Sequence, residues 1–510
     1  MFLNISKEIN WLKENISELK DITRGIERET LRVDCKGNPS LKNHPGNMGS
    51  TLTHKWITTD FSENLIEFIT PKNKSINYII KFLQDLYKYS TKNIYFKERL
   101  WPLSIPYYNN KNTKINIARY GNSDIGILKE IYRKGLKNRY GNAKNIIAGI
   151  HYNFSFPLNF WKKWKNIKNI EEQKKIISTG YLGLIRNYYR VGWIIPLLFG
   201  SSPALPINFL ENKINKNIKF KKHKKNFLYL PWSTSIRTSN IGYNNDIEKK
   251  ILKIHYNSLD EYITKVKFAK NTPYKKFIEI GKKDEKGCLK QLNTNLIQIE
   301  SELYAQIRPK QSIQTKEKSI INSLEYNGIE YVEIRSIDVN PFQNIGIEKK
   351  QLLFIDLLII WCTLSKSKMI NTAELHNINK NWEIISLYGK KPNQSLFLND
   401  TSKKIPIIEI CKFIFQELKK IANILDNFLN KNIYQKSCLY FENFLYYPEL
   451  SYSSRILKKM KRYGFKTTGL KISNNYYYSN INKNYSLLEK KTFLKESKNS
   501  YLKKKFLEKM

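Results

Sequence analysis

Two features of the sequence predict an α+β fold with a mainly antiparallel sheet. Short segments of strand character at residues 25–33, 64–70 and 150–156 are separated by helical segments and long loops. In a parallel sheet built from βαβ units, strands and helices alternate regularly, and the strands of this sequence do not follow that order. Of the 510 residues, 41% are hydrophobic and 13% aromatic, which excludes a disordered chain and provides for a large core.

Residues 1–190 are predicted to mix helices with strands. Apolar side chains at helical spacing place an amphipathic helix at residues 5–19, and the strand at 25–33 ends at the turn residues 36–39. A second strand at 64–70 stops before Pro71. Helices are then predicted from residue 76, at 128–140 and at 171–189, with a strand between the last two at 150–156.

The rest of the chain is predicted to become helical after two further strands. These strands are expected at 289–299 and 329–337, and the clearest helical pattern lies at 407–428. We expect a catalytic core at 1–345 and a mostly helical part at 346–473. The segment 474–510, rich in Lys, Asn and Tyr, is expected to be a loosely held tail.

A formal net charge of +44 raises the alternative of a nucleic-acid-binding protein. Only 14 of the 88 basic residues are arginine, the residue that reads guanine edges and grips phosphates with two hydrogen bonds. The lysines are spread over the whole chain. Even the densest run, at 213–225, is most simply a solvated loop, so we expect no specific nucleic-acid partner.

The cysteines and the apolar stretches indicate a cytoplasmic protein that does not enter the membrane. Five cysteines lie far apart and form no zinc or disulfide pattern, which fits a reducing compartment. The longest apolar stretch, at 352–364, contains Asp356 and is too short to cross a bilayer. Charged residues at 7, 8, 13 and 14 interrupt the N-terminus where a signal peptide needs an apolar run.

Paired carboxylates are the first candidates for chemistry. Glu27 and Glu29 share one face of the first strand because strand side chains alternate. Two adjacent carboxylates repel each other unless a cation lies between them. A solvated strand edge is one explanation; a divalent metal is the other, and oxygen ligands favour Mg²⁺ or Mn²⁺ over zinc.

Further polar residues strengthen the metal hypothesis. Asp60 precedes the second strand, and Glu67 lies inside it between two apolar residues, where a carboxylate needs a partner. His151 opens the third strand, although a lone histidine is more often a satisfied core residue. Glu333 and Arg335 share one face of the strand at 329–337, which fits either a salt bridge or a metal ligand beside a phosphate-binding group.

Together these residues favour phosphoryl transfer from a nucleotide. Mg²⁺ held by carboxylates offsets phosphate charge, and a nearby arginine stabilises the charge of the transition state. The sequence contains neither GxxxxGK[ST] nor GxGxxG. A bound ATP would therefore be held by a sheet lined with carboxylates instead of by a glycine-rich loop.

Several long segments resemble the bacterial glutamate–cysteine ligases. They are RGIERETLRVD, GSTLTHKWITTDFSENLIEFITP, KNRYGN, GIHYNFSFP, IRNYYRVGWIIPLLFGSSPA, LIQIESELYAQIRPK and IEYVEIRSIDVNPF. The resemblance implies a core like that of glutamine synthetase, with a curved antiparallel sheet. It also implies the ATP-dependent joining of the glutamate γ-carboxyl to the cysteine amine through a γ-glutamyl phosphate, the first step of glutathione synthesis. A related ligase that uses another amine is the alternative.

The resemblance also implies roles for individual residues. The ligands of Mg²⁺, or of Mn²⁺ in its place, would be Glu27, Glu29, Asp60, Glu67, His151 and Glu333. Beside them Glu333 and Arg335 would be catalytic, with Arg335 contacting the transferred phosphoryl group. The cysteine pocket would contain Phe61, Tyr132, Arg237, Tyr243 and Tyr304. We expect a monomer whose partners are the small molecules glutamate, cysteine and ATP.

Overall fold

The computed structural model describes residues 5–108, 113–209, 218–242, 247, 251–312 and 319–509. In this part of the chain the strands are β1 Thr23–Val33, β2 Ile57–Thr59, β3 Leu65–Ile69, β4 Arg99–Leu100, β5 Gly149–Ser155, β6 Ala204–Pro206, β7 Lys221–His223, β8 Phe227–Tyr229, β9 Ile307–Lys310, β10 Tyr331–Asp338, β11 Ser395–Phe397 and β12 Lys404–Pro406.

Helices surround these strands and fill most of the C-terminal part. They are α1 Glu8–Glu14, α2 Ile76–Asn93, α3 Asp124–Tyr140, α4 Asn142–Asn145, α5 Leu158–Trp164, α6 Ile170–Val191, α7 Ile194–Phe199, α8 Leu259–Asn271, α9 Lys275–Ile280, α10 Ile320–Asn327, α11 Lys349–Leu364, α12 Thr372–Tyr388, α13 Ile407–Leu429, α14 Tyr434–Tyr446, α15 Tyr452–Tyr463, α16 Phe465–Ile481 and α17 Lys490–Lys509.

One seven-stranded sheet organises the molecule. Its order is β2-β3-β1-β5-β10-β9, with β4 paired to one end of β1. Each of these strand pairs is antiparallel. The α+β class with an antiparallel sheet is therefore confirmed, and β1, β3, β5 and β10 are the strands predicted at 25–33, 64–70, 150–156 and 329–337.

The face of the sheet opposite the polar cluster is covered by the core helix α11. Residues 351–364 of this helix are all buried, as expected for a helix that is apolar on every side. Its Asp356 accepts hydrogen bonds from Arg24 Nε at 2.8 Å and from the Tyr152 hydroxyl at 2.7 Å. These two buried hydrogen bonds connect α11 to β1 and β5. Among the described residues no helix is long and apolar enough to cross a membrane.

The prediction of a loosely held tail after residue 474 is wrong. The segment continues α16 and then forms α17, which packs on the loop at residues 46–55. Phe493 is fully buried and stacks on Tyr89, with ring centroids 4.7 Å apart. The Ser500 hydroxyl accepts a hydrogen bond from Ser50 N at 2.8 Å. A buried aromatic ring, hydroxyls and the carboxylates of Glu496 and Glu508 hold the helix, and these tertiary contacts have no local signal in the sequence.

Two smaller predictions also need correction. Residues 289–299 form turns with isolated bridges at Leu289 and Asn295, not a strand. Side chains satisfy the backbone there, because Gln298 Oε1 accepts from Leu292 N and Glu302 Oε2 accepts from Gln298 N. The lysine run at 213–225 lies partly outside the described residues. From Lys221 it forms the exposed edge strand β7, where a loop was predicted.

Candidate active site

Strand register brings the predicted polar residues to one face of the sheet. Glu27 on β1 lies opposite His151 on β5, and Glu29 lies opposite Glu67 on β3. On β10, Glu333 lies opposite Arg308 of β9. Directly opposed residues in an antiparallel sheet point to the same side, so side chains from five strands meet above the sheet.

A cavity of about 520 Å³ lies over this polar face. Its walls include residues from the sheet, from α3 and from the segment before β9. The charged side chains that line it are Glu27, Glu29, Asp60, Glu67, Lys129, Arg133, His151, Arg308, Lys310, Glu333 and Arg335. All six predicted metal ligands and both predicted catalytic residues therefore share one cavity.

His151 lies at the centre of the carboxylates. Its Nδ1 is 3.1 Å from Glu27 Oε2 and 3.3 Å from Glu333 Oε1, and its Nε2 is 3.9 Å from Glu29 Oε1. Potential ligand atoms of Glu27, Glu67 and His151 all lie within 4.8 Å of one another. This spacing would let the three side chains share one cation.

The carboxylates differ in how well their charges are balanced. Burial first, and then the charges of Glu27 and Asp60, raise the pKa of Glu67 to about 8. Burial would also raise the pKa of Glu333, but Lys310, Arg335 and His151 hold it well below the usual range. Burial and Arg335 lower the pKa of His151, yet the surrounding glutamates outweigh them and raise it to about 9.

These residues fit a divalent metal. Glu67 is buried beside the carboxylates of Glu27, Glu29 and Asp60, and a bound cation would offset their mutual repulsion. Glu333 Oε2 is buried without a hydrogen-bond donor among the described residues, although Lys310 Nζ lies 3.4 Å away. Five carboxylates and one imidazole form an oxygen-rich donor set, which suits Mg²⁺ or Mn²⁺ better than zinc.

Basic groups lie on one side of the carboxylates. Arg335 Nη1 donates to Glu333 Oε1 at 2.6 Å, and Arg308 and Lys310 follow each other on the same face of β9. Cations beside a cluster of metal-binding carboxylates form a surface suited to a polyphosphate. The arrangement can therefore bind a metal–nucleotide complex and stabilise charge during phosphoryl transfer.

Several known proteins are similar to this chain in sequence and in fold. Residues 9–385 match the glutamate–cysteine ligase family. The chain belongs to the glutamate–cysteine ligase family. It is 52% identical over 504 residues to the glutamate–cysteine ligase of Buchnera aphidicola subsp. Acyrthosiphon pisum (strain APS), covering 99% of this chain and 96% of the relative. For the same enzyme of Proteus mirabilis (strain HI4320), identity is 42% over 509 residues, with 100% and 96% covered.

A solved structure of the glutamate–cysteine ligase family has the same fold. The glutamate–cysteine ligase of Francisella tularensis, crystallised in complex with AMP, is 30% identical and superposes with a TM-score of 0.88. The match covers 96% of this chain and 94% of the other. The resemblance inferred from the sequence motifs is thus confirmed, and so is the fold class that it implied.

The side chains predicted for the cysteine pocket of a glutamate–cysteine ligase lie at different depths. Phe61 and Tyr132 line the cavity. Arg237 and Tyr304 are buried, with 4% of each exposed, and lie outside the cavity lining. Tyr243 lies outside the described residues. The structure therefore places two of the five predicted side chains on the cavity wall.

Two side chains hold the backbone of Asp60: Arg133, to which the sequence motifs assigned no separate role, and Tyr120, which they did not single out. Arg133 Nε donates to the Asp60 carbonyl, and its guanidinium stacks on Tyr120 with 4.6 Å between the carbon Cζ and the ring centroid. The Tyr120 hydroxyl donates to the Thr59 carbonyl at 2.7 Å. These two side chains fix the backbone that carries the Asp60 carboxylate.

Two lysines that line the cavity were not predicted as site residues. Lys310 follows Arg308 by two residues on β9, and this alternation in a quoted motif could have identified it. Lys129 lies one helical turn before Arg133 on α3, on the face that lines the cavity. Burial first, and then Arg133, lower the pKa of Lys129.

Proposed function

We propose that the protein joins the γ-carboxyl of L-glutamate to the amino group of L-cysteine and couples this to conversion of ATP into ADP and phosphate. This is the first step of glutathione biosynthesis. One observation carries the proposal: a cluster of carboxylates around His151 faces Arg335 and Lys310 inside one cavity of a chain from this family. The AMP bound to the Francisella relative supports a nucleotide as co-substrate.

The chemistry requires an activated carboxyl group. A carboxylate is a poor electrophile, so the γ-carboxylate oxygen first takes the terminal phosphoryl group of ATP and releases ADP. The cysteine amine then attacks the acyl carbon, loses a proton, and expels phosphate. Arg335 and Lys310 are placed to offset the negative charge of the transferred phosphoryl group.

The proposed metal ligands are the six side chains around the polar face. Mg²⁺, or Mn²⁺ in its place, would be held by Glu27, Glu29, Asp60, Glu67, His151 and Glu333, and it would neutralise phosphate oxygens. The chain itself fixes these ligands. Asn153 Nδ2 donates to Glu27 Oε1 at 2.9 Å, and Gly149 N donates to Glu29 Oε2 at 2.7 Å.

The amino-acid pocket is proposed along the α3 side of the cavity. Phe61 and Tyr132 would bound the small cysteine side chain, and Arg237 would pair with its carboxylate. Tyr243 and Tyr304 join this pocket by resemblance to the family. We expect a monomer in the cytoplasm, and size-exclusion chromatography with light scattering would measure its mass.

The experiment is formation of γ-glutamylcysteine by the purified protein with ATP, glutamate and cysteine. We expect the dipeptide and ADP in equal amounts, and no product when Mg²⁺ is omitted and chelator is added. A panel of acceptor amines should give cysteine the highest kcat/KM. A different best acceptor would replace the substrate assignment and keep the phosphoryl chemistry, whereas no ADP with any amine would contradict the proposal.

A further inference from the structure

The guanidinium of Arg237 lies directly over the backbone of Gly149, the first residue of β5. A Cβ atom at residue 149 would overlap Arg237 Nη2 and would lie 2.8 Å from Nε. Because real Cβ contacts are longer than this, any side chain at position 149 would displace the guanidinium. Glycine is therefore required here for close approach of another side chain.

Asp338 faces the same guanidinium from the neighbouring strand. It is the register partner of Gly149 across β5 and β10, it is 1% exposed, and its Oδ1 lies 3.7 Å from Arg237 Nη1. Its oxygens accept hydrogen bonds from Ser201 N at 2.8 Å, Ser202 Oγ at 2.7 Å and Ser235 Oγ at 2.9 Å. All three donors are neutral, so the negative charge remains to orient Arg237.

The same group is connected to the candidate active site. Arg237 Nη2 donates to the Arg335 carbonyl at 2.9 Å, and Gly149 N donates to Glu29 Oε2 at 2.7 Å. Arg237 Nη1 is buried and has no hydrogen-bond partner among the described residues. The guanidinium is thus fixed relative to Arg335 through Nη2, while its Nη1 faces Asp338 and its side lies against the backbone that holds Glu29.

We propose that Gly149 and Asp338 are positioning residues for Arg237, and that together they hold its guanidinium for the carboxylate of the cysteine substrate. Gly149 supplies the space and Asp338 supplies the opposing charge. This inference rests on the proposed function, because it takes the acceptor amino acid from that reaction. Neither residue touches substrate; both act through Arg237.

Gly149→Ala tests the space requirement without removing any functional group. We expect the KM for cysteine to rise about ten- to a hundredfold, because a shift of about 1 Å in a binding group costs that much. The kcat should fall by a smaller factor than the KM for cysteine rises, and the KM for ATP should change least. A general loss of structure would instead lower kcat together with the thermal midpoint.

Gly25→Ala is the matched control. Gly25 is buried in β1 of the same sheet, and a Cβ there would meet its nearest atom, Asn153 Cβ, at an ordinary 3.7 Å. We expect wild-type kinetics for this variant. Equal effects of the two glycine substitutions would overturn the proposal, because the overlap with Arg237 would then explain nothing.

Asp338→Asn tests the charge. It preserves the shape of the side chain and should raise the KM for cysteine in the same way, with a smaller effect on kcat. Wild-type KM values in both the Asp338 and Gly149 variants would overturn the proposal. A rise in the KM for glutamate alone would overturn the assignment of Arg237 to cysteine.

A crystal structure of Gly149→Ala separates this inference from the proposed function. We expect the Arg237 guanidinium to move away from residue 149, and an unmoved guanidinium would contradict the positioning role. If the wild-type protein forms no γ-glutamylcysteine while the guanidinium moves as expected, the proposed function fails and the positioning contact stands. The cysteine assignment would then be withdrawn.

Discussion

Glu333 meets three basic side chains in the centre of the sheet. His151 Nδ1 lies 3.3 Å, Arg335 Nη1 2.6 Å and Lys310 Nζ 3.4 Å from its carboxylate oxygens. These cations keep the pKa of Glu333 well below its usual range despite burial. These neighbours favour the charged carboxylate, which is the form that the proposed metal ligand needs.

Glu333→Gln should abolish most activity while the fold is retained. The amide keeps the shape but removes a negative charge from the proposed metal-binding cluster, so we expect kcat to fall at least ~10²-fold, the loss typical of one preorganised electrostatic group. Steady-state kinetics at several Mg²⁺ concentrations would measure it. The matched control is Glu330→Gln, because Glu330 is 35% exposed and lies 3.7 Å from Lys72. Near-normal turnover of Glu333→Gln would remove that residue from the metal shell.

Arg335→Lys should lower kcat by about tenfold or more, although the positive charge remains. A lysine cannot reproduce the planar fork with which arginine contacts phosphate oxygens. In the structure Arg335 Nη1 lies 2.6 Å from Glu333 Oε1 and 3.4 Å from His151 Nδ1. Rapid-quench measurement of ADP formation would locate the loss in the phosphoryl-transfer step. Unchanged kinetics would mark Arg335 as a structural ion-pair partner.

The functional role of a single residue could be predicted where its type is rare in the chain or unusual in its segment. Glu67 and Glu333 are carboxylates inside apolar strands of a chain with only 44 acids, so their need for a partner is visible in the sequence. Lys129 is one among many lysines, and nothing local distinguishes it, whereas Lys310 could have been identified from its alternation with Arg308. Arg237 and Asp338 meet only because a loop brings residues 202 and 235 beside β10, which no spacing rule reveals.

At the scale of elements, Asp85 joins α2 to the connection between α16 and α17. Its carboxylate accepts hydrogen bonds from Ser486 N at 2.8 Å, Leu487 N at 2.7 Å and Leu488 N at 3.1 Å, and from Lys88 Nζ at 2.9 Å. Burial opposes the charge, but these donors outweigh it and lower the pKa of Asp85. The charged form therefore stabilises the fold.

Asp85→Asn should lower the free energy of unfolding by ~1.5–3 kcal/mol at neutral pH, the usual range for hydrogen bonds to a charged group. Because the folded pKa is depressed, this stabilisation is present above the unfolded pKa of about 4 and disappears as the pH falls through the lower folded value. Urea unfolding of both proteins across this pH range would measure it. Asp260, exposed in the first turn of α8, is the control: Asp260→Asn should cost less than about 1 kcal/mol.

Elements with a strong apolar period were the ones that could be predicted. α6 and α13 bury one continuous face, and β5 alternates between the core and the polar face, so pattern alone located them. Residues 289–299 look strand-like, but Gln298 and neighbouring amides satisfy the backbone locally instead. The helix α17 is rich in lysine and leaves Leu502 and Phe506 exposed, so its place in the fold depends on tertiary contacts, which a local pattern does not contain.

On the scale of the whole molecule, the formal net charge of +44 is spread over a surface of lysines. This value already subtracts every acidic residue, including those in exposed ion pairs such as Lys267 with Glu325, so the excess is unbalanced. Such a surface attracts polyanions without reading their sequence. The division into a catalytic core at 1–345 and a helical part at 346–473 stays a prediction.

We predict non-specific RNA binding that is steeply dependent on salt. Labelled RNAs of unrelated sequence should bind with equal Kd values of roughly 10⁻⁴ to 10⁻⁶ M at physiological salt and should dissociate as salt rises. Fluorescence anisotropy over a salt series would measure both. A preference of ~10³-fold or more for one sequence would instead support a specific nucleic-acid function.

The packing of α17 has a consequence for protein synthesis. Ser50 lies in the loop that leads to Asp60, and Ser500, 450 residues later in the chain, holds it through a hydrogen bond. In a nascent chain on the ribosome, this loop lacks its hydrogen bond to Ser500 until α17 has been synthesised. Premature stop codons beyond the family match, which ends at residue 385, but before residue 500 should therefore leave the loop before Asp60 without this contact.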